Sequence, residues 1–264
     1  MEQSKEMLCF LKRTYAVLDG EDKCLQDYHE WFDGECGIVL RKNADGIWGM
    51  TSEGLGKIAN ASDADSMATD LLRIMHGIVT IVTGGPYPIK IKEMRVYDAK
   101  KDEFQVACDI SCTVYVVKPQ VQDTKQRISA ITKQVFKSHK CGEETLRRCL
   151  TILSNGQPNL YDGYKIYELI EEDCKNITQK KSGQNALKEA NLITDGERRI
   201  MTYNMNSYTL QGEAARHAGD DAKDIAKYKV QYQYVQKLVM KLVEKWLEYR
   251  RKQRSFDTKV VAER

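Results

Sequence analysis

The run Gly212-Glu213-Ala214-Ala215-Arg216-His217-Ala218-Gly219-Asp220 gathers an acid, a guanidinium and an imidazole just ahead of a long segment with a regular apolar stripe. On a helix, Glu213 and Arg216 (i, i+3) or Glu213 and His217 (i, i+4) share a face, so the carboxylate could orient the imidazole. In a catalytic site of that kind His217 would move a proton and Arg216 would stabilise charge developing on a phosphoryl group. The structural account of the same residues is an ion pair between Glu213 and Arg216, with His217 and Gly219 finishing one helix and Asp220 or Asp221 starting the next.

Other chemistry-bearing patterns are weaker. No C-x-x-C, H-E-x-x-H or paired-carboxylate motif with ligand spacing occurs, and His139 with Cys141 or Cys108 with Cys112 are the nearest approaches to a metal set. Gly54-Leu55-Gly56-Lys57 is shorter than a phosphate-binding loop, and Gly84-Gly85-Pro86 reads as a turn. The sequence therefore points to no cofactor and no metal. Tyr161, Tyr164 and Tyr167 fall at i, i+3, i+6, a spacing that suits either a base-stacking platform or core packing. Tyr28, His29, Trp31 and Phe32 sit in an acidic stretch, as a partner-docking strip or as the inward side of an amphipathic element.

With its Arg216-His217 pair, the C-terminal third resembles the HEPN-type ribonucleases, whose sites pair an arginine and a histidine on one helix near a dimer seam. That family typically separates the pair by four residues, whereas here Arg216 directly precedes His217, and Arg198 and Arg199 lie too far upstream to replace Arg216 within one helix. The resemblance implies an RNA-cleaving or RNA-binding alternative in which Arg216 and His217 carry the site.

The elements that must position these residues follow from periodicity. Residues 37–41 and 47–51 flank Asn43-Ala44-Asp45-Gly46 and predict a β-hairpin. Met67, Leu71, Leu72, Ile74 and Met75 predict a helix capped near Asp63 and ending at His76-Gly77. Runs 78–83, 89–97 and 104–117 read as three strands of an antiparallel meander. Helices are expected over 123–139, 143–153 and 160–174, and Thr194-Asp195-Gly196-Glu197 is a capping box opening another to about Asn206. Tyr228, Tyr232, Val235, Val239, Leu242, Trp246 and Tyr249 then recur at steps of four and three, an a/d seam three heptads long. Residues 1–18 satisfy neither period.

The expected fold class is α+β: an N-terminal antiparallel β-rich domain with one packed helix, then an all-α module ending in a long amphipathic helix. Domain boundaries are expected at 1–120, 121–157 (a helical connector), 158–254 and a tail over 255–264. The 41 basic and 38 acidic residues of the 264 nearly cancel, so no whole-chain field selects nucleic acid. Eight cysteines without a tight framework, the absence of an apolar signal core at the N-terminus and the absence of an 18-residue apolar run favour reduced thiols, a cytoplasmic setting and no membrane span. The leading expectation is a non-enzymatic interaction or scaffold protein whose C-terminal module associates with a protein partner, or with a second copy, through the 228–249 helix.

Overall fold

Asn43 builds the first hairpin as its residue type requires: its Oδ1 accepts from the backbone N–H groups of Asp45 (3.0 Å) and Ile47 (2.8 Å), and Gly46 takes φ = 82°. The turn joins β2 (Ile38–Lys42) to β3 (Trp48–Ser52). The computed structural model describes residues 13–85, 87–98, 103–107, 123–136, 143–207 and 228–262. Together with β1 (Tyr15–Asp19), β4 (Lys90–Asp98) and β5 (Glu103–Ala107), the hairpin forms an antiparallel sheet of order β2-β3-β1-β4-β5. The protein is α+β, with an antiparallel sheet in its N-terminal part and a helical C-terminal part.

Strand β4 breaks strict alternation. Leu18 pairs with Ile91 but Val17 pairs with Glu93, so Lys92 is an extra residue in a β-bulge and the buried set slips from Ile89 and Ile91 to Met94 and Val96. One sheet face carries Ala16, Leu40, Met50 and Met94, all fully buried. On the other face Tyr15 and Val17 are packed by Val39, Ile47 and Phe104.

Helix α2 (Ala61–Thr83) packs on β1 and β4. Asn60, not Asp63, is its N-cap, accepting from the N–H groups of Ser62 and Asp63. Nor does it stop at Gly77: residues 78–83, expected as a strand, are its last turns, and the chain turns only at Gly84, with φ = 85°. The β-branched run stays helical because every residue from Ile74 to Thr83 is buried, and Leu71, Met75, Ile78 and Val82 continue the i, i+4, i+7 stripe. Burial worth about 1.5–3 kcal/mol per large apolar side chain overrides a propensity difference of a few tenths.

Helices α1 (Asp22–Phe32) and α3 (Thr124–Phe136) belong to the same unit and pack on each other. The aromatics of α1 turn inward: Tyr28 and Phe32 are fully buried. Strand β2 is an edge of the sheet, yet the outward backbone groups of Ile38 and Leu40 are occupied. Gly34 N–H donates to the Ile38 carbonyl (2.9 Å), Leu40 N–H to Asp33 Oδ1 (2.9 Å), and His29 Nδ1–H to the Leu40 carbonyl (3.1 Å). The end of α1 thus takes the place of a neighbouring strand.

The second unit holds α4 (Glu143–Leu153), α5 (Leu160–Thr178), α6 (Gly183–Glu189), α7 (Asp195–Asn206) and α8 (Tyr232–Ala262). Helix α5 is its centre, touching α4, α6, α7 and α8. Gly163 allows the close approach, since a Cβ there would stand 3.2 Å from both Met205 Sδ and Val239 Cγ2. The Thr194–Glu197 capping box forms in full and starts α7. Among the described residues no helix is long and apolar enough to cross a membrane.

Candidate interaction surface

Glu213, Arg216 and His217 lie outside the described residues, as do His139, Cys141, Cys108 and Cys112. Among the described residues no three His, Cys, Asp or Glu side chains gather in a metal-binding group. Cys149 and Cys174 are buried, and burial pushes both thiols up to about 12. At neutral pH they are thiols and not nucleophiles.

The centre of the α8 seam is buried within its own unit, while Tyr232 and Tyr249 at its ends are half-buried. Val235, Val239, Leu242 and Trp246 are buried, and α8 packs on α5 and α7. Tyr228 precedes the helix, where its hydroxyl accepts from Arg199 Nη1 (3.1 Å) and its ring lies 4.9 Å from that of Tyr203. Two charged residues stand in these apolar stripes and answer each other. Asp173 of α5 accepts from Trp246 Nε1–H (2.7 Å) and Arg250 Nη1–H (2.7 Å), with both members of the ion pair about 5% exposed. Each oxygen of the carboxylate is engaged, so the pair ties α8 to α5. The signal was in the sequence: Asp173 falls on the Gly163–Ile166–Ile170 stripe and Arg250 on the Val239–Val243–Trp246 stripe.

Among the described residues a groove of about 580 Å³ lies between α4 and α5. Arg148, Thr151 and Ile152 form one wall at i, i+3, i+4, and Lys165, Glu168, Leu169 and Glu172 the other at i, i+3, i+4, i+7. Each wall is one helical stripe. Its charges run in order along α5, with Lys165 nearer the N-terminus and Glu172 two turns on.

Tyr161 extends the α5 wall by one turn and is 50% exposed, with the Lys165 ammonium 4.0 Å from its ring centre. Of the three tyrosines at i, i+3, i+6, it alone is exposed: Tyr164 is half-buried and Tyr167 buried. Behind the wall, burial and then the neighbouring Glu168 carboxylate raise Glu171 above the usual carboxylate range. Lys165 and Glu172 hold local surface pairs, to Asp162 (3.8 Å) and Lys175 (3.0 Å), which are cheap to exchange.

The first unit's polar groups serve its packing. His76 Nε2–H donates to the Ile89 carbonyl (2.9 Å), so Nδ1 is bare and accepts from the Tyr28 hydroxyl (2.6 Å). Burial lowers the imidazole to about 4, keeping it neutral. Ser129 Oγ–H donates to Glu35 Oε1 (2.7 Å) while Lys133 Nζ donates to Ser129 Oγ (2.8 Å), tying α3 to the turn before β2. An ammonium donating to the hydroxyl oxygen opposes nucleophilic use of that oxygen.

Comparison of the chain with protein-family models, with curated proteins and with solved structures finds no match to any of them.

Proposed function

We propose that this is a non-enzymatic interaction protein whose C-terminal helical module associates with a protein through the α4–α5 groove, while the seam of α8 holds the module together. The observation that carries the reading is the groove itself: two helical stripes left without a third helix among the described residues, edged by an exposed tyrosine. Aromatic anchors beside half-buried aliphatics are what protein interfaces use, and Leu169, Ile152 and Tyr161 supply them. The occupant this shape fits is an amphipathic helix, received with its i, i+3, i+4, i+7 face inward.

A photo-reactive residue at Leu169, introduced into the full chain in its native cells, tests this. It is expected to give a discrete cross-linked species that a Tyr161→Ala, Ile152→Asp background removes. The same label at Lys181, an exposed position outside the groove, is expected to give none. Equal labelling at both positions, or none at Leu169, would overturn the reading.

A further inference from the structure

Resting on that reading, we infer that the occupant of the groove is α5 of a second copy of this chain, packed antiparallel about a twofold axis passing between Glu168 and Leu169. The argument is the order of charge along the exposed stripe. An antiparallel twofold sets residue 165 of one copy opposite residue 172 of the other. Those positions are Lys165 and Glu172, so the axis produces two identical pairs of opposite sign at the two ends of the contact. At the centre Leu169 of one copy meets Glu168 of the other. Arg148 stands on the facing wall of the groove. The groove thus contains two cations and two anions, of which Lys165 and Glu172 are complemented by its own image.

The remaining wall residues fit the same occupant. Thr151, Ile152 and Leu169 give the dimer an uncharged strip on which the helices close. The 19 residues of α5 span about 28 Å, so the contact falls at the small end of specific interfaces and forms a weak, concentration-dependent dimer. Sheet pairing through β2 does not compete, because the outward groups of Ile38 and Leu40 are already bonded to the end of α1.

The test is a charge exchange read by sedimentation equilibrium on the full chain. The wild type is expected to dimerise reversibly. Lys165→Glu alone sets two acids against each other at both ends of the contact, and Glu172→Lys alone sets two cations against each other at both ends. Each is expected to weaken the dimer on the order of 30-fold, from two attractions turned into two repulsions. Mixed in equal amounts, the two variants bring the introduced glutamate of one opposite the introduced lysine of the other, while the unaltered Lys165 and Glu172 face each other at the far end. A one-to-one heterodimer is then expected near wild-type affinity. Both substitutions are at exposed positions, and circular dichroism of each variant alone checks the fold.

A mixture that stays monomeric while wild type dimerises would overturn the register. A wild type that is monomeric at every concentration would overturn self-association, and the Leu169 cross-link then decides the reading beneath it. A heterologous species there keeps the interaction function, and its absence removes that too.

Discussion

Lowering the pH from 6.5 to 4 should unload the first unit through one residue, His76. Its ordinary value of 6.5 falls to about 4 in the folded state, because burial disfavours the imidazolium by more than the bond to the Ile89 carbonyl favours it. The unfolded chain therefore binds a proton that the folded chain does not. Stability is fully present above about pH 6.5, declines by about 1.4 kcal/mol per pH unit below it, and levels off near pH 4, where the folded imidazole also protonates. The gap between the two values corresponds to roughly 3 kcal/mol, a large fraction of the stability of a domain this size. Urea unfolding of the full chain, read at the methyl signals of Met50 and Met94, reports this unit alone, since both lie in its buried sheet face. His76→Gln, which cannot titrate, should be less stable at pH 7 but lose the extra slope. Subtracting the two profiles cancels the carboxylates and the other histidines. Parallel profiles from pH 7 to 4, or a His76 resonance in the folded protein titrating near 6.5, would refute the reasoning.

In the helical unit, Asp173→Ala should destabilise by about 3–5 kcal/mol by leaving Arg250 charged and buried, whereas Asp173→Leu with Arg250→Met should recover most of it, as measured by thermal unfolding. If the double change is as costly as the single one, the pair does not act through charge. Thr194→Ala should cost about 1 kcal/mol by opening the capping box, visible as faster amide exchange at Glu197, and Gly84→Ala a similar amount because alanine must adopt φ = 85°. Finally, the full chain should leave mixed cellular RNA intact. Cleavage that disappears in both Arg216→Ala and His217→Ala would replace the non-enzymatic reading with the ribonuclease-like one.

How far each element is legible in the sequence depends on whether local chemistry or tertiary burial decides it. The hairpin over β2 and β3 and the capping box of α7 are local: Asn43 and Thr194 bond backbone groups two to four residues away, so their types suffice. The last turns of α2 look like a strand because Ile78 to Thr83 is β-branched and follows a glycine, while the force that keeps them helical is burial among distant residues. The phase slip in β4 is hidden for the same reason, since a bulge at Lys92 is defined only by the partner strand. For the site, the apolar seam of α8 is legible but its partner is not. The groove emerges only once α4 and α5 lie side by side, because Lys165, Leu169 and Glu172 alone look like an ordinary solvated face.

The occupied edge of β2 also bears on the order in which the first unit assembles. The bonds from Asp33 and His29 to Leu40 close segments of only 7 and 11 residues, whereas the Arg95–Tyr15 contact between β4 and β1 closes 80. The longer closure costs roughly 2 kcal/mol more in chain entropy, so α1, β2 and β3 are placed to form the nucleus, with β4 arriving on a template already built. On that order, truncating Asp33 should slow folding, whereas truncating Met94 should chiefly hasten unfolding. The end of α1 that fills the place of a missing strand would then also be the first clamp the chain sets.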